Sequence, residues 1–495
     1  MPRARTLLTA AGTAVLGAAA WYALVKREHA ARTTPVRSTS RAARTAEMAR
    51  IASRAGGTVA GHKLRMAVVS DPAKRAQLEA QLQLRTAEQV AEALGHMKGA
   101  MMKLGQMASY IDQGLGGPAR EAFAQLQAGA PPMAPELAIE TVERELGKPI
   151  DDLFVEWDAE PLAAASIGQV HRAVLADGRA VAVKVQYPGV DEAIRSDLAN
   201  TDLIIGAVGM IFPGLDPKPI VEEIESRLVE ELDYRLEAEN QRLFADFYRG
   251  HPFIHIPAVV DSHSTARVLT SELSDGERFE AAHGWSQEQK DLAAEAIYRF
   301  VFRSLWHLHA FNGDPHPGNY LLHGDGRVTF LDFGLVKRFH PDELEPLHAM
   351  LQAYVFDHDH DRFRDEIIRA GFLVPGAQVS DELLVDYNGH WYDYVVEPRE
   401  VTITPEWSSE AVRRYFVPTG PFGEAMKQMN VPPQYVILQR INLGLFAVLG
   451  ELRATRNWRL VVEEIWPWVN GPPSTELGRL EAEWWGSRGH QAWDA

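Results

Sequence analysis

Three short patterns, in a fixed order, constrain this chain more than any other feature it has. Lys184 closes Val181-Ala182-Val183-Lys184, which reads as a strand. Asp314 and Asn319 lie in Gly313-Asp314-Pro315-His316-Pro317-Gly318-Asn319, an Asp-x-x-x-x-Asn loop. Asp332 opens Asp332-Phe333-Gly334 after an apolar run at 328–331. Each pattern alone fits a bland alternative: a buried strand with an exposed lysine, or an ordinary turn. Together they require a fold that gathers distant stretches into one cleft. There a lysine pairs with the α/β-phosphates of a nucleotide, a loop aspartate faces the acceptor, and Asn319 and Asp332 hold metal ions.

With 495 residues the chain exceeds the usual size of one core, and its 46% apolar content can fill a substantial interior. It has no cysteine, so disulfides and thiolate metal sites are excluded. A net charge of −17 argues against nucleic-acid binding. The charge is uneven, however. Arg3, Arg5, Lys26, Arg27, Arg32, Arg37, Arg41, Arg44, Arg50 and Arg54 face only Glu28 and Glu47, a basic leader suited to an anionic membrane surface. Within it, residues 7–25 carry no charge and are about long enough to cross a bilayer. A single membrane anchor is the favoured reading. An export signal would part a nucleotide-using domain from its ATP, and a soluble alanine-rich helix is the other rival. Basic residues on both flanks leave orientation open.

The layout divides into a basic leader (1–30), a linker (31–72), a helical extension (73–150), a small sheet-containing lobe (151–274), a larger helical lobe (275–470) and a tail (471–495). Val90, Leu94, Met97, Met101, Leu104 and Met107 recur at helical spacing, and Pro131-Pro132 breaks the run. A further helix is expected over 136–146, closed by Gly147. Strands over 169–175 and 179–186 are joined by Asp177-Gly178, a strong hairpin signal. A long acidic helix is expected over 220–247, two more strands within 259–273, and a helix over 287–310. Mostly helix follows to about residue 469. This is an α+β, two-lobed, protein-kinase-like layout.

Phosphoryl transfer needs positioning and positive charge more than covalent help. A carboxylate on the long helix would orient Lys184. The candidates are Glu231, Asp233 and Glu237, and their spacing lets at most one pair with it directly. Where a glycine-rich loop would cover the phosphates, the chain reads Pro161-Leu162-Ala163-Ala164-Ala165-Ser166-Ile167-Gly168-Gln169-Val170. Alanines disfavour the positive φ that glycines permit, so the backbone path must differ. The Ser166 hydroxyl and the amides of 164–167 can face the anion, although such a run also reads as a helix start. Asp314 is placed as base or metal-side carboxylate, with Asn319 and Asp332 as oxygen ligands for Mg²⁺. His316 can touch phosphate or pack. His307, His309 and His323 invite a zinc reading, which is disfavoured because no His-Glu-x-x-His pattern is present. Lys103 and Gln106 share a helix face and, on periodicity alone, belong to the surface.

The sequence closely resembles the UbiB/AarF family of atypical kinase-like proteins. The likeness rests on Lys103-x-Gly105-Gln106, Ala163-Ala164-Ala165-Ser166, Val181-Ala182-Val183-Lys184, Glu231-x-Asp233-Tyr234 with Glu237-Ala238, Asp314-Pro315-His316-Pro317-Gly318-Asn319 and Asp332-Phe333-Gly334. It covers roughly 90–340 by motif. It implies that the extra helices cover the site where a protein substrate would dock, with Lys103 and Gln106 pointing into the cleft and Glu231 and Asp233 tying the extension down. It also implies ATP or ADP with Mg²⁺, ATPase activity rather than protein phosphorylation, and a role at membranes in ubiquinone biosynthesis or lipid homeostasis. The adenine would meet a hinge at Ser271, Glu272 and Leu273. The implied partners are a lipid or quinone precursor, a membrane surface, and a second copy of the chain or quinone-biosynthesis enzymes. The kinase-like part is expected on the ATP-containing, cytoplasmic side.

Two departures stand out. Asn312-Gly313-Asp314 replaces the usual His-Arg-Asp, so a phosphorylation switch is not expected. The apolar stretch 435–449 is interrupted by Gln439, Arg440 and Asn442, too broken to cross a bilayer. Two rivals remain: a small-molecule phosphotransferase of the aminoglycoside or choline kinase type, and a non-catalytic, nucleotide-gated scaffold.

Overall fold

The structure, a computed structural model, describes residues 133–165, 167–198, 229–313, 315–374, 376–416 and 422–488. Helix α1 (Pro135–Leu146) starts on a proline at its first turn and stops at Gly147, whose φ of 71° is open to glycine at little cost. Its buried face is Ala138, Thr141 and Val142.

That face packs against a sheet built from β1 (Glu156–Trp157), β2 (Ala163–Ala164), β3 (Gly168–Val174) and β4 (Ala180–Gln186). Strand alternation does the sorting here. Val181, Val183 and Val185 turn inward to meet Ala138, Val142 and Phe154, so Lys184, between two of them, faces the other side. The hairpin expected at Asp177-Gly178 forms between β3 and β4, and Gly178 has a φ of 85°.

Helix α2 (Tyr234–Phe247) begins later than the sequence pattern suggests. Asp233 is extended, with φ −120°, and its side chain accepts from the Arg235 N–H. That cap ends the preceding turn. Glu231 and Asp233 therefore precede the helix instead of lying on it; 199–228 lie outside the described residues. The two strands expected within 259–273 also resolve differently. After β5 (Ile254–His255) only β6 (Val268–Glu272) is a full strand, and a single bridge joins Val259 to Ser271. The Ser264 hydroxyl donates to the Val260 carbonyl and accepts from the Thr270 N–H, closing a turn where a strand would continue. The sheet order is β1-β3-β4-β6, with β2 on β3.

In the larger lobe, β7 (Glu277–Arg278) leads to α3 (Gln287–Arg303), which opens with a Ser286/Gln289 capping box. The helix was expected to reach 310. It stops at Arg303 because one wider turn, Ser304–Leu308, ends at His309 in the left-handed region, φ 50°. The chain then enters β8 (Ala310–Asn312). Strands β9 (Tyr320–Leu322) and β10 (Val328–Phe330) follow, and β11 (Val336–Arg338) returns to pair with β8. Among the described residues the lobe is completed by α4 (Pro341–Leu351), α5 (His360–Arg369), α6 (Asp381–Gly389), α7 (Pro405–Phe416), α8 (Pro433–Leu452), α9 (Trp458–Ile465) and α10 (Glu476–Ser487), with a single helical turn at Gly423–Met426 between α7 and α8. The molecule is thus an α+β, two-lobed kinase-like fold.

Trp458, Trp466 and Trp484 are buried in the core of the large lobe, and Trp468 and Trp485 pack on it, so these tail aromatics serve packing. Trp493 lies outside the described residues. Among the described residues no helix is long and apolar enough to cross a membrane; the segment 7–25 lies outside them.

Candidate nucleotide-binding cleft

Lys184 reaches across the cleft from β4. Its Nζ donates to both carboxylate oxygens of Glu237, at 2.7 and 2.8 Å, and lies 3.4 Å from Asp332 Oδ2. One ammonium thus joins the sheet, the first turn of α2 and the Asp-Phe-Gly turn. The sequence allowed one of three carboxylates to pair with Lys184, and the structure brings Glu237 there. Glu237 is 6% exposed, Lys184 17% and Asp332 29%, so the cluster opens toward solvent at the aspartate.

Burial works against the lysine's charge, but Asp332 and Glu237 outweigh it and hold the ammonium pKa well above its usual value. Burial pushes the Glu237 carboxyl up to about 7; the attraction of Lys184 opposes this and Asp332 adds to it.

Asp332 is fixed from several sides. Its Oδ1 accepts from the Gly334 N–H at 2.9 Å, and its backbone carbonyl accepts from Asn312 Nδ2 at 2.8 Å. Asn312, the residue that departs from the usual kinase loop, therefore tethers the Asp-Phe-Gly turn. Asn240, one helical turn beyond Glu237, donates to the Phe333 carbonyl at 3.2 Å, and Phe333 is fully buried. The Leu331 N–H donates to the Asn319 carbonyl at 3.0 Å, which sets the two loops side by side. His316 Nδ1 accepts from the Gly318 N–H, so this histidine caps the short Pro317–Asn319 turn. Gly313 is held to glycine by space: a Cβ would lie 2.7 Å from the Leu335 side chain.

The alanine run forms a tight hairpin, not a helix start. Ala163 pairs with Val170 and Ala164 with Gln169, and the Ala165 N–H donates to the Gly168 carbonyl at 2.8 Å. At Gly168 a Cβ would sit 2.3 Å from the Val185 carbonyl oxygen and 2.9 Å from the Tyr234 hydroxyl. Tyr234 in turn presents its ring to Lys184, with Nζ 5.1 Å from the centroid. Its hydroxyl is sealed from water with no hydrogen-bond partner. The motif reading quoted Tyr234 without giving it a role.

Asp233 caps α2 and pairs with Arg235 at 3.0 Å. Glu231 is buried beside it. At the hinge, the amides of Glu272 and Leu273 already donate to the carbonyls of Ala258 and Ala180, while Ser271 pairs with Ala182. The neighbouring Ser274 hydroxyl is buried without a partner, a polar group the sequence reading missed. Lys103, Gln106, Ser166 and Asp314 lie outside the described residues.

The donor set suits Mg²⁺. Asn319 and Asp332 offer hard oxygens, and Mg²⁺ usually takes one or two carboxylates together with phosphates and water. Among the described residues no cluster of three or more His, Asp or Glu is placed to hold a metal by itself. His307 accepts from Arg303 and contacts the Ile465 carbonyl, and His323 contacts Thr329, so these two serve local packing.

Residues 125–366 match the ABC1 atypical kinase-like domain family. The chain is 34% identical over 278 residues to "Atypical kinase COQ8B, mitochondrial" of Rattus norvegicus, covering 56% of this chain and 52% of that protein. It is 29% identical over 314 residues to "Probable protein kinase UbiB" of Marinobacter nauticus, covering 61% and 56%. The matches thus span about half the length of these curated relatives. Among solved structures, the complex of Rv3197 with erythromycin from Mycobacterium tuberculosis matches with a TM-score of 0.59 and 31% identity, over 80% of this chain and 100% of that one. The chain belongs to the UbiB/AarF family of atypical kinase-like proteins.

Proposed function

We propose that this protein binds ATP with Mg²⁺ in the cleft between its lobes and hydrolyses it, as a membrane-associated ATPase supporting isoprenoid-quinone or lipid metabolism. The observation that carries the reading is the bridge from Lys184 to Glu237 and Asp332. It sets a fixed positive charge next to an accessible carboxylate, the pair needed to grip phosphates and their metal.

In this reading Lys184 holds the α/β-phosphates, oriented by Glu237 and the Tyr234 ring. Asn319 and Asp332 hold Mg²⁺, which supplies charge neutralisation at the phosphates. Asp314 takes the base position, and Lys103 and Gln106 act from the extension above. The hairpin of Ala163, Ala164, Ala165, Ser166 and Val170 covers the phosphates. Adenine meets Ser271, Glu272 and Leu273; since two of those amides are engaged, backbone carbonyls and the Ser274 hydroxyl are the groups left to read it. Glu231 and Asp233 help to dock the extension. Support for the quinone or lipid link comes from the family, whose relatives include a mitochondrial COQ8B and a UbiB.

Phosphate release from ATP, measured on the full chain and on Asp332→Asn, tests the proposal. Turnover at least about a hundredfold faster in the wild type supports it. A wild type no faster than the variant, yet still binding nucleotide, makes the protein a scaffold. Stoichiometric phosphate transfer to an aminoglycoside or choline makes it a small-molecule phosphotransferase.

A further inference from the structure

Three side chains on one face of α2 meet the Asp-Phe-Gly turn. Glu237, Asn240 and Phe244 follow one another at three- and four-residue spacing, so they line up along the helix. Glu237 holds Lys184 and lies beside Gly334, where a Cβ would come 3.6 Å from its Oε2. Asn240 Nδ2 donates to the Phe333 carbonyl at 3.2 Å. The Phe244 ring packs on the Phe333 ring, with centroids 5.1 Å apart. The proposed function gives Glu237 a task and leaves Asn240 without one.

Asn240 is held from its other end as well. Arg338, exposed on β11, donates to Asn240 Oδ1 at 3.1 Å. A guanidinium only donates and a backbone carbonyl only accepts, so the amide fits between them one way round. A trans peptide is planar, with its C=O and N–H pointing in opposite directions. The bond to the Phe333 carbonyl therefore also aims the Gly334 N–H, which donates to Asp332 Oδ1 at 2.9 Å. The contacts run in one line from Arg338 through Asn240 and the 333–334 peptide to the Asp332 carboxylate. Asn312 holds the preceding carbonyl, that of Asp332 itself. Glycine at 334 tolerates either sign of φ, so the 333–334 peptide can turn over unless its carbonyl is held.

We propose that Asn240 is a positioning residue: by fixing the 333–334 peptide it keeps the Asp332 carboxylate in the orientation that receives Mg²⁺. This rests on the reading of the cleft as an ATP and Mg²⁺ site. Groups that orient a metal ligand from behind commonly change metal affinity about 10- to 100-fold when removed. Asn240 lies behind the turn and not among the residues assigned to phosphates or adenine, so it governs the share of binding that the metal supplies.

ATP is titrated by calorimetry into the full-length wild type and into Asn240→Leu, which keeps the bulk and removes both hydrogen bonds, once with Mg²⁺ and once with a chelator. The wild type is expected to gain at least about tenfold in affinity from Mg²⁺. The variant is expected to bind within about twofold of the wild type in chelator and to gain less than about threefold from Mg²⁺. In both proteins free of nucleotide and metal, amide exchange across 332–335 is compared, and the variant is expected to be at least about tenfold faster. A wild-type gain in the variant, unchanged exchange, or an equal loss with and without Mg²⁺ overturns the proposal and leaves the reading of the cleft in place. A wild type indifferent to Mg²⁺ overturns both. Should Asn240→Leu fail to melt cooperatively, Arg338→Met at the exposed end of the line decides: a loss of about threefold in the Mg²⁺ gain supports the proposal, and the full wild-type gain overturns it.

Discussion

Two buried clusters of charge divide the work of this molecule, and they differ in one respect. In the large lobe Arg299 is fully buried and all its guanidinium nitrogens are used: Nε on Glu295, Nη1 on Glu481, and Nη2 on Glu464 and Thr475. Arg303 adds a second cation on Glu481. These bonds pin α3 to α9 and α10. In the cleft Lys184 has two carboxylates, one buried and one open to solvent. Their proton affinities show the contrast. Burial pushes Glu481 up, yet Arg303, the neighbouring His251 and Arg299 outweigh it, and its pKa lies well below the usual range. Glu237 answers to a single lysine, and there burial wins, lifting it to about 7. A closed, charge-saturated cluster holds helices together; a cluster with one accessible face and one easily protonated member has the features expected of a ligand site, as proposed for the cleft.

The sharpest way to break the comparison is to remove one cation from each cluster. Arg299→Met takes away the one cation shared by the buried Glu295, Glu464 and Glu481, leaving Glu295 with Arg456 and Glu481 with Arg303, and denaturant unfolding is expected to show a loss of about 3–5 kcal/mol. Lys184→Met is expected to lose less than about 2 kcal/mol, because Glu237 takes up a proton and relieves itself. Comparable losses would erase the distinction. Activity should reverse the order: Lys184→Met and Asp332→Asn are each expected to lower ATP turnover at least about a hundredfold.

A pH profile sharpens the contrast further. Below a pH of about 7 Glu237 carries a proton and its grip on Lys184 weakens; above it the carboxylate forms and the ion pair is complete. Wild-type turnover is therefore expected to rise with pH through about 7, and Glu237→Gln to remove that limb and stay low throughout. A limb that survives in Glu237→Gln would assign it to another group.

Gly168→Ala tests the hairpin. Its methyl group would meet the Val185 carbonyl and the Tyr234 hydroxyl, so weaker nucleotide binding, by about tenfold, is expected with a modest loss of stability. The smallest effect should come from Asp233→Ala. As the cap of α2 it is expected to cost about 1 kcal/mol and leave the ion pair of Lys184 in place.

Much of this was legible in the sequence for physical reasons. Period-two alternation around Val181, Val183 and Val185 forces Lys184 to the opposite face, and Asp177-Gly178 fixes the hairpin that carries it. The start of α2 was harder to see. Glu231 and Asp233 sit in a run that reads as continuous helix, and only the cap at Asp233 separates them from Glu237. Asn240 was readable in principle, since it lies three residues beyond Glu237 on the same face. Asn312 and Ser274 were not: Asn312 donates to a backbone carbonyl twenty residues away, and the burial of the Ser274 hydroxyl is set by tertiary packing. The alanine run misleads because helix propensity is a weak prior, and pairing with β3 overrides it.

Mg²⁺-dependent ATP binding, measured by calorimetry on the wild type and on Asp332→Asn, tests the central claim most directly. The wild type is expected to bind ATP at least about tenfold more tightly with Mg²⁺ than with a chelator, and Asp332→Asn to show no such difference. Equal dependence on Mg²⁺ in both proteins, or no ATP binding by the wild type, would contradict it.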